Sequence, residues 1–311
     1  MEWARSAGRR WILPSIMLLL SAQITAGCAR TAPEAIVVTA APDVTVAKAL
    51  PPDPVIPQTD ELTQAELAFL ANVSSSVGDQ SVIPAINRLL PAQLPTANAS
   101  HLSGQAAVPK KALTAGYAKP GDTIPTIVLT ADTDTAIEPL SGRWTVVDTM
   151  GNDWVAVLVP VGRRALPSQD KNLVNHAMAW VHKRDLNLSA ETSRIEINTE
   201  AKTLTVKNGS TTIAKFPVGV GTAKTPTPKG LCSVIGHVAT MSGGPQILTS
   251  CQSEAMDSWA GYPWATTAIH YSLDSGKDIG IEVSNGCVRV NKSDYDKYLN
   301  KIPIGTPIII T

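Results

Sequence analysis

One thiol and one imidazole near the C-terminal end of this sequence are spaced and flanked as a nucleophile and its base would be. Cys287 follows His270 by seventeen positions within IHYSLDSGKDIGIEVSNGCVRVN, residues 269–291. A thiol becomes a useful nucleophile when a nearby base takes its proton, so the pair points to acyl transfer through a thioester. An imidazolium beside the sulfur would also draw the thiol pKa below its free value of about 8.5. A cysteine and a histidine in one chain are weak evidence alone, and the flanking residues add more. Ile279-Gly280-Ile281-Glu282-Val283 alternates like a strand, Ser284-Asn285-Gly286 interrupts it, and Val288-Arg289-Val290 resumes the alternation. Such a break holds a sulfur at the rim of a sheet, with the backbone N–H groups of Gly286 and Cys287 as candidate donors to an oxyanion. A backbone carbonyl near Tyr271, or the Ser284 hydroxyl, is the candidate to orient the second imidazole nitrogen. Arg289 reads two ways, as a bidentate partner for a substrate carboxylate or as a structural ion pair.

The elements that must hold these residues are short and β-rich. Arg194-Ile195-Glu196-Ile197 and Leu204-Thr205-Val206-Lys207 alternate, and Asn208-Gly209 then predicts a tight hairpin into Thr212–Phe216. Pro226 and Pro228 stiffen a loop before a strand at Leu231–Ile235, Ser293–Leu299 reads as a short helix, and Pro307–Thr311 closes the chain as a strand. Between Met256 and Ala268, the aromatic residues Tyr262 and Trp264 sit among Gly and Pro, a composition suited to a lid that touches substrate or to packing under a loop. Upstream, Thr126–Leu129, Arg143–Val147, Asp153–Val159 and Ala179–Val181 predict a small all-β module over 116–190. Its Trp144, Trp154 and Trp180 read as core, with a glycan or peptide platform as the alternative. Residues 59–115 read as a short helical or irregular region, with a capping box at Thr63–Glu66. Residues 29–58 are a Pro- and Ala-rich tether. Residues 1–28 have the layout of a signal peptide: Arg5, Arg9 and Arg10, then an apolar run from Trp11 to Leu20 that is short of the ~20 residues of a spanning helix. Thr25-Ala26-Gly27-Cys28 has the form of a lipobox, which would make Cys28 the lipidated first residue of the mature protein. Ordinary cleavage nearby is the alternative.

The segment SNGCVRVN, with its histidine seventeen positions upstream, resembles the signature of the L,D-transpeptidases, cysteine enzymes of bacterial cell-wall crosslinking. The resemblance covers about the last 120 residues, a normal domain size, and extends through Pro226-Thr227-Pro228-Lys229-Gly230 and Gly305-Thr306-Pro307-Ile308-Ile309-Ile310. It implies a mainly β fold, with an L,D-transpeptidase-type β-sandwich or barrel-like catalytic domain over 191–311. The preceding module is similar to the small, SH3-like β module found before the catalytic domain in some family members. The resemblance further implies that His270 activates Cys287 against the third residue of a peptidoglycan stem tetrapeptide, expelling the terminal D-alanine. Water or the amine of a neighbouring stem resolves the thioester, the amine giving a 3-3 crosslink. It implies no cofactor, and carbapenems as acylating inhibitors. Arg289 matches a basic position often seen after the family cysteine. Two departures stand out: Asn285 replaces the second histidine of the usual SHGC and cannot titrate, and Tyr271 stands where a small residue is more usual. An L,D-carboxypeptidase or endopeptidase would use the same pair, and a non-catalytic wall-binding lipoprotein would predict damage to the motif.

Composition narrows the partners. With 26 basic and 26 acidic residues the formal net charge is zero, which offers no basic surplus for nucleic acid. Stem peptides, and a membrane reached through the N-terminal lipid, are the expected partners. No CxxC or HxxxH spacing suggests a metal. Of the four cysteines, Cys232 and Cys251 remain once Cys28 and Cys287 are assigned. In an oxidising compartment they read as a disulfide, with two buried thiols as the alternative. His101, His176, His182 and His237 read as surface or structural residues.

Overall fold

The alternating run at Arg194–Ile197 lies in the larger sheet of the computed structural model, which describes residues 89–130, 133–134, 139–140, 142–241, 244–261 and 265–311. Among these residues the sheet has eight strands. Their spatial order is Thr211–Pro217, Thr203–Asn208, Ser193–Asn198, Pro307–Ile310, Gly230–Met241, Gly244–Gln252, Thr266–Tyr271 and Val288–Val290. Pairing is antiparallel except where Ser193–Asn198 meets Pro307–Ile310 and where Thr266–Tyr271 meets Val288–Val290. The fold is mainly β with a barrel-like sheet. One face of the sheet buries Ile195, Ile197, Leu204, Val206, Val234, Ile247, Ile269, Val288, Val290, Ile308 and Ile310 in one core. Each such side chain contributes about 1.5–3 kcal/mol on leaving water. The helical segment between strands Val288–Val290 and Pro307–Ile310, Lys292–Asp294 continuing into Tyr295–Leu299, adds Tyr295 and Leu299 to that core.

The smaller sheet orders Met178–His182, Trp154–Leu158, Trp144–Met150, Gln105–Pro109 and Leu186–Ala190. Its start corrects the sequence reading. Gln105–Pro109 and Leu113–Gly116 are strands, and Leu90, Leu94 and Ala97 already pack in the module's clusters, so the irregular region does not run to 115. QAAVP and LTAG are poor β-formers. The first becomes a strand because Trp144–Met150 and Leu186–Ala190 pair with it on both sides. Trp144 and Trp180 are buried, and half-buried Trp154 packs its ring against His182 and edge-on to Tyr117, so all three tryptophans are packing residues. The run at Ile279–Val283 is also corrected: only Glu282–Ser284 is extended, pairing in parallel with Val220–Gly221. Gly280, at φ +80°, turns the chain just before it, and Ile281 and Val283 are left exposed.

The two sheets share structure. The described residues fall within one compact unit. Leu231 and Ile309 of the larger sheet pack with Val147, Ala156, Leu158 and Trp180 of the five-stranded one and with Tyr117 beside it. Arg143 donates to Glu191 Oε2 and to the Ile304 carbonyl, both at 2.6 Å, and Thr145 Oγ1 donates to the Gly305 carbonyl at 2.8 Å. Among the described residues no helix is long and apolar enough to cross a membrane. The signal segment, Cys28, the tether and the capping box at Thr63–Glu66 lie outside the described residues.

Cys232 and Cys251, on the neighbouring strands Gly230–Met241 and Gly244–Gln252, are joined by a disulfide with a sequence separation of 19. Closing a loop of that length stabilises by about 3 kcal/mol in the chain-entropy model. The Cys232→Ala/Cys251→Ala double variant should lose about that much in urea denaturation, and dithiothreitol should move the wild-type midpoint the same way while leaving the variant unchanged.

Candidate active site

The parallel pairing of Thr266–Tyr271 with Val288–Val290 decides which side chains meet. Ile269 pairs with Val288, His270 with Arg289 and Tyr271 with Val290. Because successive residues of a strand face opposite sides, Ile269, Val288 and Val290 enter the main core, while Ala268, His270 and Arg289 share the other face. Cys287 belongs to that second face, packing with Ala268, Leu248, Val238 and Ile235. Cys287 is the free cysteine among the described residues and is partly exposed, and its thiol is hydrogen-bonded to the Ala268 backbone. His270 lies two residues beyond Ala268 on the same face and is only 6% exposed. Its Nδ1 lies 2.7 Å from the Tyr271 carbonyl oxygen. A carbonyl can only accept, so Nδ1 carries the proton and Nε2 is left as the basic nitrogen.

The turn before the cysteine is fixed by Ser284. Its hydroxyl donates to the Cys287 carbonyl at 2.6 Å and accepts from the Gly286 N–H at 3.1 Å. The Gly286 N–H is therefore engaged, which leaves the Cys287 N–H as the oxyanion candidate of the two. Ser284 orients the turn and not the imidazole, whose partner is the Tyr271 carbonyl. Gly286 adopts φ +112° against Pro226 and Thr267, a conformation L-side chains rarely take. The proline-bracketed loop holds the turn from beneath. Thr222 N–H and Thr225 Oγ1 both donate to the Ser284 carbonyl, at 3.0 and 3.1 Å, and Thr227 Oγ1 accepts from the Gly221 N–H at 2.9 Å. Asn285 is exposed at the tip.

Arg289 is engaged by Asp278 at 3.0 Å, with 17% of the arginine side chain and 3% of the aspartate exposed, so the clamp is the role this geometry favours. Asp278 also accepts from the Ser272 hydroxyl and the Leu273 N–H. Burial works to raise the Asp278 carboxyl, but those hydrogen bonds and Arg289 prevail and hold it below the usual carboxylate range. Asp278 was not singled out from sequence, because SLDSGKD reads as an ordinary turn. Tyr271 contributes its carbonyl alone to this face. Its ring packs edge-on to Tyr295 and its hydroxyl binds Asp296, on the side away from Cys287. Tyr262 and Trp264 lie outside the described residues. Among those described, no group of three or more His, Cys, Asp or Glu could hold a metal.

Burial dominates the electrostatics. It pushes the Cys287 thiol up, against the lowering by the Ala268 hydrogen bond and the Arg289 charge. It pushes the His270 imidazole down, with Arg289 acting the same way against the Tyr271 carbonyl and Asp278. The resting pair is thus a neutral thiol and a neutral imidazole. The imidazolium that would lower the thiol pKa is itself disfavoured by this burial.

Residues 192–310 match the model of the YkuD family, the L,D-transpeptidase catalytic domain. Over 119 residues the chain is 27% identical to YkuD of Bacillus subtilis (strain 168), by its name a candidate L,D-transpeptidase, and over 121 residues 25% identical to its namesake in Bacillus licheniformis. These matches cover 37% and 38% of this chain and 64% and 65% of the relatives, so the chain spans somewhat less than two thirds of the length of the curated relatives it matches. Among solved structures it is similar to an L,D-transpeptidase from Mycobacterium smegmatis, at 18% identity over 52% of this chain and 93% of that one, with a TM-score of 0.31. It is also similar to L,D-transpeptidase 3 from Mycobacterium tuberculosis, at 16% identity over 54% and 97%, with a TM-score of 0.33.

The neutral pair sets an expected pH dependence. Unfolded histidine takes a proton near pH 6.5 and unfolded cysteine loses one near pH 8.5. Folded His270 protonates only at lower pH, as does His176, which is likewise held down by burial. The unfolded state then binds more protons below about pH 6.5 and fewer above about pH 8.5, so these groups cost stability on both sides of that window. Urea midpoints measured from pH 5 to 10 should be highest between the two values, with a shallower alkaline decline in Cys287→Ala. Iodoacetamide alkylation of Cys287 should rise with a midpoint above that of a free thiol.

Proposed function

We propose that this chain, whose residues 192–310 belong to the L,D-transpeptidase catalytic-domain family, is a peptidoglycan L,D-transpeptidase that joins stem peptides through a Cys287 thioester. The observation that carries this reading is the 2.7 Å contact between His270 Nδ1 and the Tyr271 carbonyl. It leaves Nε2 as base on the sheet face that also bears Cys287.

In this reading His270 Nε2 takes the proton from Cys287 Sγ as the sulfur attacks the carbonyl carbon of the third, L-configured residue of a tetrapeptide donor. Starting from a neutral pair, charge forms only as the reaction begins, and the Cys287 N–H receives the oxyanion. The C–N bond to the terminal D-alanine breaks, and His270 returns its proton to the leaving amine. The side-chain amine of a neighbouring stem then attacks the thioester, the C–S bond breaks, and the thiol regains a proton through His270. The product is a 3-3 crosslink. Ser284 and the 222–228 loop keep the nucleophile turn in place, and Arg289, held by Asp278, positions the strand that follows it. Asn285 takes no proton. The substrate lies in the cell envelope, so the reading includes export by the N-terminal segment, with Cys28 as lipid anchor and 29–58 as the spacer to the wall. Carbapenems would acylate the same sulfur.

Mass spectrometry of the protein incubated with a disaccharide-tetrapeptide tests this directly. Dimers joined through third residues are expected from the wild type and absent with Cys287→Ala or His270→Ala. Tripeptide without dimer would assign a carboxypeptidase instead. No Cys287-dependent product and no carbapenem adduct would replace the enzymatic reading with a wall-binding one. Ser284→Ala, which removes both bonds of the turn, should lower turnover on the order of 10²-fold, the scale of a 1 Å misplacement, with the circular dichroism spectrum unchanged.

A further inference from the structure

The chain between strands Gly244–Gln252 and Thr266–Tyr271 is tied at two points to the β module, outside the family-matched residues. Asn175 Nδ2 donates to the Gln252 carbonyl at 2.9 Å and to Glu254 Oε1 at 3.0 Å, and its Oδ1 accepts from the Gln252 N–H at 2.8 Å. Further along, Asp257 accepts from the Ser168 N–H at 3.0 Å and from the Ser168 hydroxyl at 2.6 Å, one bond to each carboxylate oxygen. The Asp257 carbonyl accepts from the buried Arg163 guanidinium at 2.7 Å. Asp257 is thus held through both its side chain and its backbone. The segment rejoins the sheet where the Ser253 N–H donates to the Ala265 carbonyl at 2.8 Å. That junction lies three residues before Ala268, whose backbone meets the Cys287 thiol, and five before His270. Val161, two residues before Arg163, packs on the apolar cluster that contains Ala268 and touches Cys287.

We propose that Asp257 is a positioning residue for acyl transfer: latched to Ser168 and Arg163, it fixes the 252–257 strap at the entry to the strand bearing Ala268 and His270. The module then helps to position the strand that bears His270. Two bonds to opposite oxygens of one carboxylate restrict it in a way that a single contact cannot, and charge-assisted bonds of this kind are the stronger ones. The proposal rests on the reading of Cys287 and His270 as nucleophile and base.

The test uses the full chain as wild type, Asp257→Ala, Asp257→Asn, Ser168→Ala and the Asp257→Ala/Ser168→Ala double variant. Donor turnover, Tm, and hydrogen–deuterium exchange over 252–261 are measured for each. Both single alanine variants should lower kcat/KM about 10-fold, within the range that misplacement produces. The double variant should be no worse than Asp257→Ala, because both remove one latch. Asn, which keeps an acceptor for the Ser168 N–H, should recover part of the loss. Exchange at 253–257 should quicken in the alanine variants while Tm stays near that of the wild type. Wild-type turnover in Asp257→Ala, additive losses in the double variant, or losses that track Tm would overturn the role. A wild type that turns over no donor would overturn the functional reading and this role with it, whereas an active wild type with an indifferent Asp257→Ala would overturn the role alone.

Discussion

The parallel ladder between Thr266–Tyr271 and Val288–Val290 is the constraint on which the candidate site depends. It aligns Ile269 with Val288 and His270 with Arg289, and strand periodicity does the rest. Shifting one strand by a single residue would turn its valines or isoleucine outward and its polar residues into the core. The apolar side chains that stabilise the sheet therefore also fix the face on which His270, Arg289 and Cys287 lie. Folding energy and site geometry are set by the same register.

Burial on that face has an electrostatic consequence. A thiol and an imidazole taken out of water both favour their neutral forms, and here burial is the largest influence on each. Arg289 acts on both groups and Asp278 on the imidazole, and these two charges are themselves paired at 3.0 Å. Both groups are therefore held in their neutral forms at rest. The surrounding hydrogen bonds go to geometry instead: Ser284 closes the turn, and Tyr271 sets the tautomer through its carbonyl.

The larger sheet is not physically separate from the module before it. Leu231 and Ile309 lie in a cluster otherwise built by the module, and Arg143 and Thr145 bind carbonyls in the loop at 304–305. Gly305 adopts φ +79° with the Arg143 carbonyl so close that a Cβ would lie 2.9 Å from it. A seam with shared core and buried hydrogen bonds resists hinge motion between its halves, unlike the smaller polar interfaces typical of mobile domains.

Much of the larger sheet was legible in the sequence, because its strands alternate and its hairpin carries Asn208-Gly209. Local pattern also marked Cys287, His270 and the glycine turn, since a turn needing positive φ at Gly286 leaves a chemical trace in the residue chosen. The strand at Gln105–Pro109 left none: alanines become a strand there only because partners from 144 and 186 onward lie on both sides. The strand read at Ile279–Val283 shrank to Glu282–Ser284 for the opposite reason, as alternation without a long pairing partner does not make a strand. Asp278 as the partner of Arg289, and Asp257 as the partner of Ser168, were out of reach for the same cause. By itself the sequence determined which residues could do chemistry and which turns they occupy, since residue type and backbone conformation are local. Only the tertiary structure decided which charges pair, which N–H groups remain open and how far the sulfur is buried, because those depend on contacts between segments whose separation the sequence does not encode in any local pattern.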